Sequence, residues 1–229
     1  MQKVSNKGLQ YVIVIFIDAI LCSTINLVQL KKENLKYKEI FTLIILNIIG
    51  IIIGSKILDY VVLYRYYVNN DILSSLTKGW MFYGGVVLSV CLTGLFCCIK
   101  QYKFERIIGI IFSNLILFYG IGKIGCFVNN CCYGLEYFGP FNISNQFPIQ
   151  IFESLYCFTF YSYLQIKKKI QDFNNEKLLY SSMIILGIEK LFFMPFRGNS
   201  EVVSNCLNAI IATTFITIGI IEIKKNDKK

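Results

Sequence analysis

The chain of 229 residues contains no histidine, only three prolines and only three arginines. A protein without histidine has no Ser-His-Asp triad, no Cys-His pair and no zinc site with histidine ligands. A general base must therefore be a tyrosine, lysine, aspartate, glutamate or cysteine side chain.

Charged residues are also scarce, at 16% of the chain, whereas hydrophobic residues make up 55%. The mean hydropathy of +0.56 is too high for an ordinary soluble domain. Composition therefore predicts an all-α polytopic membrane protein, with residues 1–229 forming a single transmembrane domain.

Apolar runs recur along the chain, separated by short charged loops. Each is about 20 residues long, which is the length of helix that crosses the hydrocarbon core of a bilayer. We expect about seven transmembrane helices, the fifth being the shortest. The runs cover residues 9–30, 40–63, 80–99, 107–126, 149–166, 178–196 and 202–223.

Positive charges are distributed unevenly between alternate loops. With the N-terminus outside, most of the 23 lysines and arginines fall in inner loops, which is the usual bias of membrane proteins. We therefore expect the N-terminus outside and the C-terminus in the cytoplasm. The first run lacks a small-x-small cleavage pattern and is expected to be a retained helix. Topology and anionic lipid account for the net charge of +9, so no nucleic-acid partner is expected.

Three lysines, Lys56, Lys123 and Lys190, lie inside apolar runs. A lysine at the bilayer centre costs about 2.5–3.5 kcal/mol, so some interaction should offset it. The helical rise places each lysine about 18–24 Å from the inner end of its run. Arg197 and Tyr83 are expected in the same outer half. Either the lysines extend to the lipid headgroups without a function, or they form a cationic site suited to a lipid phosphate.

The segment GIGKIGCFVNNCCYG, residues 120–134, contains the spacing G-x-G-x-x-G. A dinucleotide site needs a preceding strand and a βαβ unit, whereas this segment continues a membrane helix. Its cysteine spacing, C-x4-C-C, also matches the paired C-x2-C modules of zinc sites poorly, so we predict neither a cofactor nor a metal. The glycines either permit close helix packing or let the backbone approach a ligand.

Part of this segment, GKIGCFVNNCCYG, resembles the signature of the bacterial phosphatidylglycerol prolipoprotein diacylglyceryl transferases, roughly G-R-x-G-N-F-x-N-x-E-x-x-G. Other family motifs are matched in the same order by GSKIL at 54–58, FYGG at 82–85, FPIQIFES at 147–154 and LGIEKLFFMPFR at 186–197. The resemblance is strongest over residues 54–197. It also implies seven spans with the N-terminus outside, as in the family.

These enzymes move a diacylglyceryl group from phosphatidylglycerol to the cysteine thiol of a prolipoprotein and release glycerol phosphate. The resemblance implies that reaction, a step of lipoprotein biosynthesis, at the outer face of a bacterial cell membrane. The implied partners are phosphatidylglycerol, membrane lipid and a cysteine-containing prolipoprotein or exported peptide. The alternatives are the same fold acting on another lipid or exported thiol peptide, and a non-catalytic lipid-binding or transport protein.

The resemblance also assigns roles to individual residues. Lys123 would bind the lipid phosphate, with Lys56, Lys190 and Arg197 completing the cationic lining, and Asn129 would join the catalytic group. The residues expected to shape the site are Gly84, Gly85, Gly125, Cys126, Cys131, Tyr133, Gly134, Gln150 and Glu153.

Several positions differ from the family pattern. Tyr83 replaces the family's histidine, Cys126 an asparagine and Cys131 a glutamate, and the three lysines replace arginines. Tyr83 is either the base that accepts the thiol proton or an interfacial aromatic anchor. Cys131 and Cys132 either carry a substrate covalently, form a disulfide or serve only packing.

Overall fold

The computed structural model describes residues 6–62, 81–140, 143, 145–170, 173–198 and 202–226. These residues form α-helices and one 3-10 turn, Met194–Phe196, and the described part contains no extended strand. This confirms the all-helical prediction. The helices are α1 (Asn6–Lys31), α2 (Tyr37–Val62), α3 (Phe82–Lys100), α4 (Phe104–Val128), α5 (Ile149–Ile170), α6 (Asn175–Phe193) and α7 (Val202–Asn226).

Six of the described helices are long and apolar enough to cross a membrane, which confirms a multi-pass helical protein. The candidate spans are Val12–Lys31, Tyr37–Val62, Phe82–Lys100, Phe104–Val128, Asn175–Phe196 and Asn205–Asn226.

Helix α5 covers the fifth predicted run and is 22 residues long, but it is not one of these six. It carries Gln150, Glu153 and Ser154 near its start and three lysines in its last turn. These polar residues lower its hydropathy.

Positions 63 and 80, at the edges of the second and third predicted runs, lie outside the described residues.

The chain divides into two compact units, one of residues 27–108 and one of residues 1–26 with 109–229. In the first unit, α2 and α3 pack so closely that a Cβ atom on Gly54 or Gly84 would overlap the carbonyl of the other glycine. A Cβ on Gly85 would lie 2.8 Å from the carbonyl oxygen of Ile51. Gly84 and Gly85 therefore permit close packing of α2 against α3.

Tyr83 and Lys56 also belong to the first unit. The side chain of Tyr83 is only 1% exposed, and its ring packs edge-on against that of Phe82, 5.7 Å away. Lys56 is half-buried in α2. A buried ring is not the arrangement of an aromatic anchor at a lipid surface, which leaves its hydroxyl-bearing end at the interface.

In the second unit, small residues also set the helix contacts. A Cβ atom on Gly120 of α4 would lie 2.9 Å from the Cβ of Cys157 in α5, and the Ser154 hydroxyl donates a hydrogen bond of 2.9 Å to the Gly120 carbonyl. Likewise, a Cβ on Gly187 of α6 would lie 2.7 Å from the carbonyl oxygen of Ala212 in α7. These contacts pack α4 closely against α5 and α6 closely against α7.

The loop between α4 and α5 folds back on itself and onto the 3-10 turn. Gly134 donates its N–H to the Phe147 carbonyl at 2.9 Å, and Leu135 donates to Phe196 at 3.0 Å. A Cβ at Gly134 would lie 2.8 Å from the Phe196 carbonyl oxygen, so only glycine fits there. The loop is thereby fixed beside the end of α6, where Arg197 follows.

Candidate active site

A buried glutamate joins two cations from different segments of the second unit. Glu153 of α5 is 0% exposed. Its Oε2 lies 2.7 Å from Nζ of Lys123 in α4, and its Oε1 accepts hydrogen bonds from Nε and Nη2 of Arg197. The sequence predicted Glu153 only as a support for the site. In the structure it is the carboxylate around which the cations assemble.

Tyr119 forms a second centre for the same cations. Its hydroxyl oxygen accepts hydrogen bonds from Nζ of Lys190 and Nη2 of Arg197, each at 3.0 Å. The Nζ atoms of Lys123 and Lys190 lie 5.0 and 5.1 Å from the centroid of its ring. Both lysines are within the range of cation–π attraction. Tyr119 therefore contacts all three cations, and we call Tyr119, Lys123, Glu153, Lys190 and Arg197 the cation cluster.

Burial separates the two interpretations of the lysines. Lys123 is 7% and Lys190 6% exposed, so neither extends its ammonium group to the surface as a snorkelling lysine does. Arg197 is more accessible, with 24% of its side chain exposed. A ligand can therefore reach the cluster most directly at Arg197.

A second buried carboxylate lies beside the cluster. Glu189, next to Lys190 in the chain, is 2% exposed, and its Oε1 has no hydrogen-bond partner among the described residues. The three basic side chains of the cluster thus outnumber the two carboxylates, Glu153 and Glu189, by one. The excess favours binding of an anion such as a phosphate.

The loop residues predicted for the site are held near this end of α4 and α5. Gln150 donates a hydrogen bond of 2.6 Å from Nε2 to the Cys131 carbonyl. The Tyr133 hydroxyl donates one of 2.5 Å to Oδ1 of Asn130, and the Asn129 side chain hydrogen-bonds Cys131. Gln150 thus joins α5 to the loop, whereas Tyr133 and Asn129 bond within the loop itself.

Three cysteines converge at the same place. The Sγ atoms of Cys126, Cys131 and Cys132 all lie within 4.8 Å of one another. All nine cysteines of the chain are free thiols in the structure, so the disulfide alternative is not what is observed. Hydrogen bonds from the Cys126 and Cys131 thiols, together with the charges of Lys123 and Arg197, lower the pKa of the Cys132 thiol.

The structure thus brings together most of the predicted site residues that lie in the second unit. The cations Lys123, Lys190 and Arg197, which were expected at one depth in the membrane, lie in one cluster with Glu153, which the family resemblance assigned to the site. Sequence reasoning missed Tyr119 and Glu189. The position of Tyr119 one helical turn before Lys123 was the available signal, since residues four apart share a helix face. Lys56 and Tyr83 lie in the other unit, and their part in the site stays a prediction.

The fold and the site together define a helical multi-pass membrane protein with a buried cluster of two lysines, an arginine, a tyrosine and a glutamate. A family model described as "Prolipoprotein diacylglyceryl transferase" matches residues 7–223. The chain belongs to this family of transferases, which confirms the resemblance seen in the sequence motifs.

Relatives of this chain carry the same description. It is 28% identical over 183 residues to the phosphatidylglycerol–prolipoprotein diacylglyceryl transferase of Clostridium tetani, a match that covers 74% of this chain and 72% of that protein. It is 24% identical over 233 residues to the enzyme of the same name from Finegoldia magna, covering 96% and 94%. The enzyme of Rickettsia canadensis is 28% identical over 214 residues, covering 87% and 78%.

Proposed function

We propose that this protein transfers a diacylglyceryl group from phosphatidylglycerol to the cysteine thiol of a prolipoprotein. The thiol sulfur forms a thioether bond to the glycerol carbon, the carbon–oxygen bond to the phosphate breaks, and glycerol phosphate leaves. Membership of the family and the names of the relatives support the substrates. The observation that carries the proposal is the buried cation cluster, whose charged residues lie in the segments that match the family motifs.

The cluster is suited to the charge that develops during this reaction. As the carbon–oxygen bond breaks, negative charge grows on the departing phosphate. Preorganised cations that face this charge stabilise the transition state more than the ground state. Lys123 and Arg197 are proposed to bind the phosphate, and Lys190 to act with them through Tyr119. Glu153 holds the cations in position before the lipid arrives.

The remaining predicted residues complete the proposal. Tyr83 is the candidate base for the thiol proton, and Lys56 part of the cationic lining. Asn129, Gly125, Tyr133 and Gly134 shape the loop end of the site. Support for Tyr83 comes from its position in the FYGG segment, where the family resemblance places a histidine.

The membrane arrangement is also proposed. Six candidate spans and the 22-residue helix α5 are consistent with about seven crossings of the bilayer. The excess of positive charge in alternate loops supports an external N-terminus and a cytoplasmic C-terminus. This topology puts the cluster at the outer face of a bacterial cell membrane, where exported prolipoproteins and phosphatidylglycerol meet.

Rescue of a bacterium depleted of its own transferase tests the function in cells. We expect the wild-type chain to restore growth and the lipidation of a reporter prolipoprotein. Lys123→Ala should fail to do so, and Glu136→Gln, in the exposed part of the loop, should restore both. Rescue by Lys123→Ala as well would contradict a role of the cluster in transfer. Failure of the wild type, with the purified protein still turning over lipid, would point to another lipid or another exported thiol peptide.

A further inference from the structure

The three-thiol group of Cys126, Cys131 and Cys132 is not used by the mechanism above. Three sulfur atoms within 4.8 Å of one another are close to the spacing that one metal ion imposes. A zinc–sulfur bond of about 2.3 Å in trigonal arrangement separates the sulfurs by about 4 Å. The largest separation in the structure, 4.8 Å, exceeds this value by less than about 1 Å.

The backbone holds the three residues in this arrangement. Cys131 donates its N–H to the Cys126 carbonyl at 3.0 Å, and its carbonyl accepts the short hydrogen bond from Gln150. Asn130 and Cys132 adopt left-handed backbone conformations, with φ of 55° and 61°. Non-glycine residues rarely adopt this conformation, and it costs of order 1–3 kcal/mol each. The turn that reverses the chain after α4 thus places Cys131 and Cys132 beside Cys126.

The surroundings suit a metal bound by thiolates. Three thiolates and one divalent ion carry a net negative charge, and the charges of Lys123 and Arg197 act on Cys132. These cations would offset the negative charge of the site. Soft thiolate ligands select zinc or monovalent copper over hard cations. The cysteine spacing does not match paired C-x2-C modules, but a three-thiol site needs no such pairing.

Three ligands leave one position open on a tetrahedral ion, which is the arrangement of catalytic rather than structural zinc. Cys132 is exposed, so a molecule from outside can approach this position. The proposed substrate is itself a thiol, and a thiol that coordinates such an ion is deprotonated outright. In a chain without histidine, metal binding would supply the thiolate that the reaction needs, in place of the proton transfer to Tyr83 that is proposed above.

We propose that Cys126, Cys131 and Cys132 bind a zinc ion whose open fourth position takes the acceptor cysteine of the peptide. On binding, the acceptor S–H bond breaks, a zinc–sulfur bond forms, and the proton passes to water. The zinc stays divalent, so no oxidant or reductant takes part. The sulfur then keeps the electron pair that attacks the lipid. This inference rests on the proposed function for the identity of the acceptor, but not for the metal site.

Cobalt substitution tests the metal site without any reaction. The full chain is purified in detergent, reduced with a phosphine and titrated with Co²⁺, whose sulfur-to-metal charge-transfer band reports thiolate ligands. We expect one Co²⁺ per chain, displaced by Zn²⁺. Cys126→Ser, Cys131→Ser and Cys132→Ser should each weaken binding at least tenfold. Cys91→Ser and Cys206→Ser, which alter exposed thiols elsewhere, should leave it unchanged. Absence of the band, or equal binding by all five variants, would overturn the proposal.

The acceptor position is tested by adding a lipobox peptide to the Co²⁺-loaded protein. The visible d–d bands should change with the cysteine peptide and not with its serine analogue. No change with either peptide would overturn the role of the fourth position. Equal lipidation by metal-free and Zn²⁺-loaded protein would overturn metal activation while leaving the proposed function intact. A protein that binds metal and peptide but never transfers lipid would instead refute the proposed function and leave the site standing.

Discussion

Replacement of Glu153 by glutamine is the most informative perturbation of the cation cluster. The glutamine keeps the size of the side chain but removes the charge that pairs Lys123 at 2.7 Å and also binds Arg197. Removing one partner of a buried ion pair costs about 3–5 kcal/mol, because the other charge stays buried and uncompensated. Here two cations lose the same carboxylate, which is 0% exposed. We therefore expect the free energy of unfolding to fall by about 3–5 kcal/mol.

The assay is unfolding of the purified protein in mixed micelles by a denaturing detergent. Glu136→Gln, the same substitution at an exposed position, should change the free energy of unfolding by less than about 0.5 kcal/mol. The double variant Glu153→Gln with Lys123→Met should be more stable than Glu153→Gln alone, because it removes one uncompensated cation. Glycerol phosphate should stabilise Glu153→Gln more than the wild type, since its anion replaces the lost carboxylate. Equal stability of Glu153→Gln and Glu136→Gln would refute the reasoning.

Three further changes follow from the contacts described. Lys123→Ala should lower kcat/KM for lipid transfer about a hundredfold, which is the upper end of what a hydrogen bond to a charged group contributes. Lys123→Arg should keep activity, and an equal loss in both variants would contradict a phosphate-binding role. Tyr119→Phe keeps the ring but loses the hydroxyl that accepts hydrogen bonds from Lys190 and Arg197. The rate of lipid transfer should therefore fall less in Tyr119→Phe than in Tyr119→Leu, which loses the ring as well. Identical transfer rates in the two variants would argue against the cation–π contacts. Gly84→Ala should destabilise the protein by about 1–3 kcal/mol through overpacking, while Gly122→Ala, with no atom within 4 Å of the added carbon, should not. Unfolding titrations that show no difference between these two would contradict the packing of α2 on α3.

Hydropathy and charge predicted the helical class because crossing a bilayer imposes a length and a composition on each helix. They were less informative for α5. Its buried Gln150, Glu153 and Ser154 bond to neighbouring segments, and the helix is less apolar than the six candidate spans. The number of crossings and the orientation of the termini stay predictions, because both depend on where the bilayer lies.

Part of the site could be predicted from the sequence, because a charged residue inside an apolar run needs a partner. Lys123 and Lys190 stood out for that reason, and Arg197 followed from the family motif. Tyr119 did not stand out, because a tyrosine in an aromatic-rich chain has no distinctive pattern until its hydroxyl is seen between Lys190 and Arg197. The approach of Cys126 to Cys131 and Cys132 was equally hidden, since it depends on left-handed backbone at two loop positions.

The central claim is that the cation cluster serves transfer of a lipid group to a thiol. It is tested most directly by incubating the purified protein with labelled phosphatidylglycerol and a lipobox peptide, and measuring the mass of the peptide. We predict that the wild type adds one diacylglyceryl group to the cysteine peptide and none to its serine analogue, and that Lys123→Ala adds little or none. An unmodified cysteine peptide after incubation with folded wild-type protein, or equal modification by Lys123→Ala, would contradict the claim.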